Sequence, residues 1–444
     1  MKKVLILAYD FPPYVSVGGL RPSYWYENFK EMGLFPIVIT RNWNPIHGNA
    51  LDYIQPSKTK EIEIEETGKG ILIKTPYKAT LSNRLTLKGK KDPISNLLKK
   101  TSTGWNEIGQ WFLPIGTKYE LYKAAKNFLK DNKVDIILAT GEPFILFKYA
   151  SKLSKKFNIP WVADYRDLWS NDITMNYKPI QKKVAQVLEK KYIKNVTFVS
   201  AVSEVLERII QLRFPNKKII TIANGYNESY FKNISKLVAK NDALTISLAG
   251  SLYNWHPYRV FLESIDEYIS LKKKNLKIVF YGINKNEEIK DIVENSVNLK
   301  EVVQIYPKLP YEQVLDALSK ANLFLLFNAH SNIGVGTKIY DYIALNRKVL
   351  FCFEENTQSS VFGKNFNEEI TSHFKNNLII DLLTNTNSGI IVKNGIHLHQ
   401  VLDILLNEFE TKGYIDSNIK NIENYSRKIQ TEKLVNFINE IYLY

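Results

Sequence analysis

Short apolar runs bounded by turn residues alternate along this chain with longer stretches of helical spacing, and nothing else in the sequence constrains the fold as strongly. Val4–Ala8, Pro36–Thr40, Ile71–Lys74, Asp135–Ala139, Trp161–Ala163, Thr197–Ser200 and Lys218–Ile222 predict strands. Between them Pro22–Met32, Lys118–Asn132, Ile145–Phe157 and the stretch from Glu204 carry apolar residues at helical spacing. Continuous apolar runs belong to strands covered on both faces, so the alternation predicts an α/β, doubly wound parallel sheet. Asn224-Gly225 interrupts it, and Lys232–Asp242 is polar without periodicity. The alternation restarts with strands at Leu244–Ala249, Lys277–Tyr281, Val302–Ile305, Leu323–Phe327 and Lys348–Cys352 and helices at Arg259–Leu271, Tyr311–Ser319 and Lys338–Ala344. With 444 residues the chain is too long for one core. The expected organisation is a first lobe over 1–225, a linker over 226–243 and a second lobe over 244–421. A C-terminal helix over 422–444 is expected to pack back on the first lobe.

The formal net charge is +15, which points to an anionic partner: a nucleotide phosphate, an anionic membrane face or nucleic acid. Lysines cluster twice. Arg84, Lys88, Lys90, Lys91, Lys99 and Lys100 stand against Asp92 inside a long, basic, aromatic stretch from Ala79 to Trp111, expected to be an irregular functional loop. Between Lys178 and Lys194, Lys182, Lys183, Lys190 and Lys191 surround Ile180, Val184, Val187 and Leu188. That is a basic amphipathic helix, expected to turn its apolar stripe to the core rather than to a membrane.

The single cysteine, Cys352, sits between Phe351 and Phe353 and predicts a buried strand thiol in a reducing compartment. Lys2-Lys3 and the apolar run after them stop at Asp10 without a cleavage site, so a first strand is expected there, not a leader. No apolar stretch reaches the roughly 18 residues of a spanning helix. The six histidines are dispersed and form no evident metal set. No serine nucleophile elbow or P-loop is present.

In open α/β sheets ligands sit beyond the carboxyl ends of the strands, and polar constellations fall at such ends. After the first strand come Asp10 and then Gly18-Gly19-Leu20-Arg21, where paired glycines before a helix allow close backbone approach and Arg21 could contact phosphate. After Trp161–Ala163 comes Asp164-Tyr165-Arg166-Asp167, in which a carboxylate could orient an acceptor hydroxyl and Arg166 could contact phosphate. After Leu323–Phe327, Gly334, Gly336 and Thr337 precede Lys338 and Asp341; the glycines suit a diphosphate and Asp341 a ribose. A weaker place is Gly250-Ser251 after Leu244–Ala249, with His256 and Arg259 following.

Taken in order, these places resemble the GT-B glycosyltransferases of the large retaining family often called group 1 or family 4. Tyr9-Asp10-Phe11-Pro12-Pro13 through Gly18-Gly19 to Arg21 is similar to that family's "FPP…GG…R" opening. Trp161–Trp169 resembles the "ADFRDPW" stretch of a polysaccharide-building branch. Ser200–Glu204 and Ile222–Tyr226 resemble "VSE" and "NGYD", and Thr337–Ala344 resembles "TKLFEYLA". The resemblance implies two Rossmann-like lobes facing a central cleft, with the donor mainly on the second lobe and the acceptor mainly on the first. It implies Gly18 and Gly19 near the donor phosphates, Arg259 and Lys338 as cationic clamps, and Asp341 on the ribose. The Asp164–Asp167 cluster would lie beside the transferred sugar. The first of the family's paired acids falls on Ile333, and Asp341 stands where the family has Glu.

The expectation is therefore a cytoplasmic enzyme, a hexosyltransferase-like glycosyltransferase with no metal and no cofactor. Its partners would be a nucleotide-sugar donor and a glycan or lipid-linked acceptor, with peripheral contact to an anionic membrane and no nucleic acid. The rivals are a catalytically inactive sugar-binding or scaffold partner, which Ile333 favours, and a nucleotide-sugar epimerase. Nucleic-acid binding ranks last, because no motif accompanies the charge.

Overall fold

The computed structural model describes residues 1–44, 51–170, 178–232, 234, 241–272, 275–327, 335–353 and 377–440. The chain forms two compact units, Met1–Ala223 together with the C-terminal segment from Thr431, and Asn224–Gln430. The described residues of the expected linker, 226–232, 234 and 241–243, fall with the second unit, and Glu228–Phe231 forms a short helix there.

The first unit contains β1 (Lys2–Leu7), β2 (Leu34–Arg41), β3 (Glu63–Glu66), β4 (Ile71–Thr75), β5 (Ile136–Gly141), β6 (Trp161–Tyr165), β7 (Phe198–Ala201) and β8 (Lys218–Thr221). They form one sheet in the order β3-β4-β2-β1-β5-β6-β7-β8. Only the β3–β4 pair among these neighbours is antiparallel. The chain winds outward from β1 in one direction, then from β5 in the other, so the switch point lies between them. Val4, Ile6, Phe29, Leu138 and Val162 are fully buried in its core. Each such side chain contributes about 1.5–3 kcal/mol over exposure. Leu434 and Ile438, from the C-terminal helix Arg427–Glu440, join the same cluster.

The second unit contains β9 (Leu244–Ala249), β10 (Leu276–Tyr281), β11 (Val303–Tyr306), β12 (Leu323–Phe327), β13 (Lys348–Cys352) and β14 (Gly389–Val392). All pairs are parallel in the order β11-β10-β9-β12-β13-β14, which puts the switch between β9 and β12. Cys352 is fully buried, and burial holds its thiol far above its usual pKa.

Four expectations change. The first helix begins at Val17, so Gly18 and Gly19 lie in its first turn and not before it; the Ser16 hydroxyl caps the Gly19 N–H at 3.2 Å. The stretch Ala79–Trp111 is not irregular but holds two helices, Leu81–Leu87 and Pro93–Phe112, capped by Thr80 and Asp92. In the basic helix Pro179–Ile193 the core face is Ala185, Leu188, Glu189, Tyr192 and Ile193, leaving Ile180, Val184 and Val187 exposed. Glu189 fixes that register: it is buried, accepts a hydrogen bond from Tyr165 Oη at 2.9 Å and pairs with Arg213 at 3.2 Å. Finally β3 and β14 carry no sequence signal. Glu63-Ile64-Glu65-Glu66 is an exposed antiparallel edge, and Gly389–Val392 is a short strand at the opposite kind of edge, beside β13.

Around the unit boundary, Asn224-Gly225-Tyr226 runs beside Ser426. The Tyr226 N–H donates to Tyr425 O at 3.0 Å and the Arg427 N–H to Tyr226 O at 2.8 Å. Gly225 has φ +62°, and a Cβ there would lie 2.6 Å from Tyr425 O. Gly225→Ala is therefore expected to cost upward of about 1–2 kcal/mol. The check is the urea midpoint; an unchanged midpoint would mean that the turn tolerates a side chain.

Candidate active site

Each sheet gathers polar groups at the carboxyl ends of its strands, beside its own switch point. In the first unit the loop after β1 turns Asp10 toward the first helix. Asp10 Oδ2 accepts a 2.7 Å hydrogen bond from the Ser16 hydroxyl, and Oδ1 is buried with no hydrogen-bond partner among the described residues. Burial raises the Asp10 pKa, while Ser16 and then Arg166 pull it back. Gly18 matters here for space: a Cβ would sit 2.8 Å from Asp10 Oδ2 and inside contact distance of Arg166 Nη1.

Arg166 follows β6 and is held by the loop after β5. Its Nε donates to Gly141 O at 2.9 Å and its Nη2 to Glu142 O, which leaves Nη1 facing Gly18 and Asp10. Lys118 lies close by, with its ammonium 5.2 Å from the Tyr9 ring centroid, and burial lowers its pKa. The first unit thus offers a carboxylate, a guanidinium and an ammonium around a helix start without a side chain in the way.

Two expected site residues have another role. Asp164 is 0% exposed and Arg21 only 4%. They pair at 2.7 Å. Asp164 also accepts from Thr140 Oγ1 at 2.9 Å and Ser200 Oγ at 2.8 Å, while Arg21 Nη1 donates to Ile222 O at 2.6 Å and Ala223 O at 3.1 Å. A solvent-excluded pair bonded this way ties β6 and β7 to the first helix and to the chain leaving β8. Freeing either side chain for a ligand would break that joint. Asp167 is exposed on the turn that follows.

In the second unit the loop after β9 begins at Gly250, φ +86°, whose N–H donates to Tyr281 O at 2.9 Å. A Cβ on Gly250 would lie 3.8 Å from Lys338 Nζ, and that ammonium is 3.4 Å from Ser251 O. Burial pushes the Lys338 pKa down to about 8. Ser251 is exposed, and Gly336 and Thr337 lead into the helix Lys338–Ala344, with no atom of the described residues within 4 Å of where a Gly336 Cβ would stand. Gly334 lies outside the described residues.

Asp341 is one helical turn past Lys338. Its Oδ1 accepts from Tyr311 Oη at 2.7 Å. Burial pushes its pKa up to about 6, against the opposing pull of Tyr311 and Arg427. His256 Nδ1 accepts the Tyr253 N–H at 3.2 Å, which assigns the ring proton to Nε2. Burial, then Lys338, pushes the His256 pKa down to about 4, so the ring is neutral near pH 7. Arg259 is exposed and its guanidinium is paired with Glu288. Engaging a ligand would require breaking a surface pair of about 0–1 kcal/mol.

The constellations read from the sequence, with Asp10, Gly18, Gly19, Arg166, Gly250, Ser251, Lys338 and Asp341, thus lie near the two switch points, and they include neither Lys118 nor Tyr311. Lys118 and Tyr311 come from helices that other crossovers bring in, and nothing local marks them.

No protein-family model matches the chain, and no curated protein matches it by sequence. Solved structures do match it in fold. Sucrose-phosphate synthase from Thermosynechococcus elongatus has TM-score 0.60 at 12% identity, covering 100% of this chain and 100% of its own. A glycosyltransferase from Rickettsia africae has TM-score 0.57 at 15% identity, covering 99% of this chain and 98% of its own. The Anabaena protein HepE, solved in complex with UDP, has TM-score 0.56 at 10% identity, covering 99% and 100%. The chain shares their fold, two successive doubly wound α/β units of the GT-B class.

Proposed function

We propose that this chain is a metal-independent, retaining glycosyltransferase that moves a sugar from a nucleotide-sugar donor to a glycan or lipid-linked acceptor in cell-surface polysaccharide synthesis. The observation that carries the reading is the Lys338 ammonium beside the positive-φ Gly250 turn, one helical turn from Asp341. A diphosphate laid against Gly250 meets a cation and no Cβ, and a ribose hydroxyl can reach the Asp341 carboxylate. Because negative charge builds on the departing diphosphate, a fixed cation there favours the transition state over the bound donor. The charge is met by the chain's own lysine, so no metal ion is required. The first unit, with Asp10, Arg166 and Lys118, would take the acceptor. Fold likeness to a UDP-bound protein supports a nucleotide donor. With a nucleotide-sugar donor and a lipid-linked acceptor the enzyme would act on the cytoplasmic side, peripheral to an anionic membrane face.

Ile333, in the position of the family's first acid, favours a second reading, an inactive sugar-binding partner. A thermal-shift screen against UDP-, GDP-, CMP- and dTDP-sugars separates the two. At 100 times the Kd one donor class is expected to stabilise the protein by about 2.7 kcal/mol, and Asp341→Ala to reduce the shift. Silence toward every donor would support the inactive partner.

A further inference from the structure

The helix Pro93–Phe112 is inside out. The residues it buries are Ser95, Gly109 and Gln110, and its Ser102 and Thr103 bond to Ser82 of the helix Leu81–Leu87. Its outward face is Ile94, Leu97, Leu98, Trp105, Ile108 and Phe112, with Ile94 73%, Trp105 63% and Phe112 65% exposed. The spacing from 94 through 97, 98, 105, 108 and 112 lines one side of a helix. Water contact along such a stripe is costly, and a contiguous apolar surface of this kind marks an interaction site. The helix Pro179–Ile193 adds exposed Ile180, Val184 and Val187. Trp111 links the two helices, stacking on Tyr192 at 6.1 Å while Lys148 bonds the Gln110 carbonyl.

Exposed lysines border both stripes: Lys88, Lys90, Lys91 and Lys100 on the first, Lys182, Lys183, Lys190 and Lys191 on the second. We propose that these two helices seat the first unit on an anionic lipid surface, apolar side chains entering the headgroup boundary and lysines meeting lipid phosphates. A second copy of this chain would cover the apolar stripe but set lysine against lysine. An anionic bilayer matches both the stripe and its border. The inference gives residues to the membrane contact in the proposed function and takes its biological sense from that reading.

The test is co-sedimentation with phosphatidylcholine vesicles with and without phosphatidylglycerol, using the full chain without donor. Binding is expected only with the anionic lipid, and to fall about tenfold or more in high salt. Brominated lipid should quench Trp105, judged against Trp105→Phe. Ile94→Asn with Ile108→Asn and Phe112→Asn, all at exposed positions, should abolish binding, and Lys88→Gln with Lys91→Gln and Lys100→Gln should weaken it about tenfold or more. Absent binding, or binding indifferent to salt and lipid charge, overturns the proposal. So does lipid-free self-association that the Asn variant abolishes. The donor thermal shift, read on the same samples without vesicles, tells failure of this surface from failure of the transferase reading.

Discussion

Alanine in place of Asp164 is expected to destabilise the first unit by about 3–5 kcal/mol, the range for removing one partner of a buried ion pair. The change strands the Arg21 guanidinium at 4% exposure and takes the acceptor from Thr140 and Ser200. Every tryptophan but Trp255 lies in the first unit, so urea unfolding followed by tryptophan fluorescence reports on that unit. The double replacement Arg21→Met with Asp164→Leu should recover part of the loss, because no buried charge is then left alone. Recovery is incomplete, since the two hydroxyls still lack their acceptor. An Asp164→Ala protein that keeps its urea midpoint and loses sugar transfer would return Asp164 to direct action on substrate.

Loss of the Lys338 ammonium is expected to weaken nucleotide-diphosphate binding about 10- to 150-fold, the worth of a charged hydrogen bond of about 1.5–3 kcal/mol. The pH dependence follows from the two pKa values at this site. Lys338, pushed down to about 8, holds its proton and its charge below that pH and loses both above it. Asp341, pushed up to about 6, is a carboxylate above that pH and takes a proton below it. Affinity should therefore be highest between about pH 6 and 8 and fall on both sides. Titration calorimetry with UDP across that range reads both limbs. Lys338→Arg should remove the alkaline limb and Asp341→Asn the acid limb. Full affinity in Lys338→Ala, or a flat profile in the parent protein, would mean that the diphosphate sits elsewhere.

Most of the strand–helix alternation was legible because strands covered on both faces have to be continuous apolar runs, as Val4–Leu7 and Leu323–Phe327 are. It failed where burial did not impose that pattern. β3 is nearly all glutamate at an exposed edge, and the Pro93–Phe112 helix turns its apolar side outward. The first offered no period, the second was read as an irregular loop, and in Pro179–Ile193 the period was read but not its direction, since period marks two faces without saying which one is covered.

The site divides the same way. Local sequence determined which residues follow each strand, because a parallel sheet delivers its loops to one edge. That sufficed to bring forward Arg166, Gly250, Lys338 and Asp341. Only the tertiary structure decided which of several nearby charges meet. Arg21 lies in the helix after β1 and Arg166 directly after β6, yet Arg21 is closed onto Asp164 while Arg166 is braced by two carbonyls with one nitrogen turned to Asp10. Pairing between charges depends on distances of a few ångströms across crossovers far apart in sequence, and on how much water burial removes around each. Neither quantity is written in any local stretch of the chain.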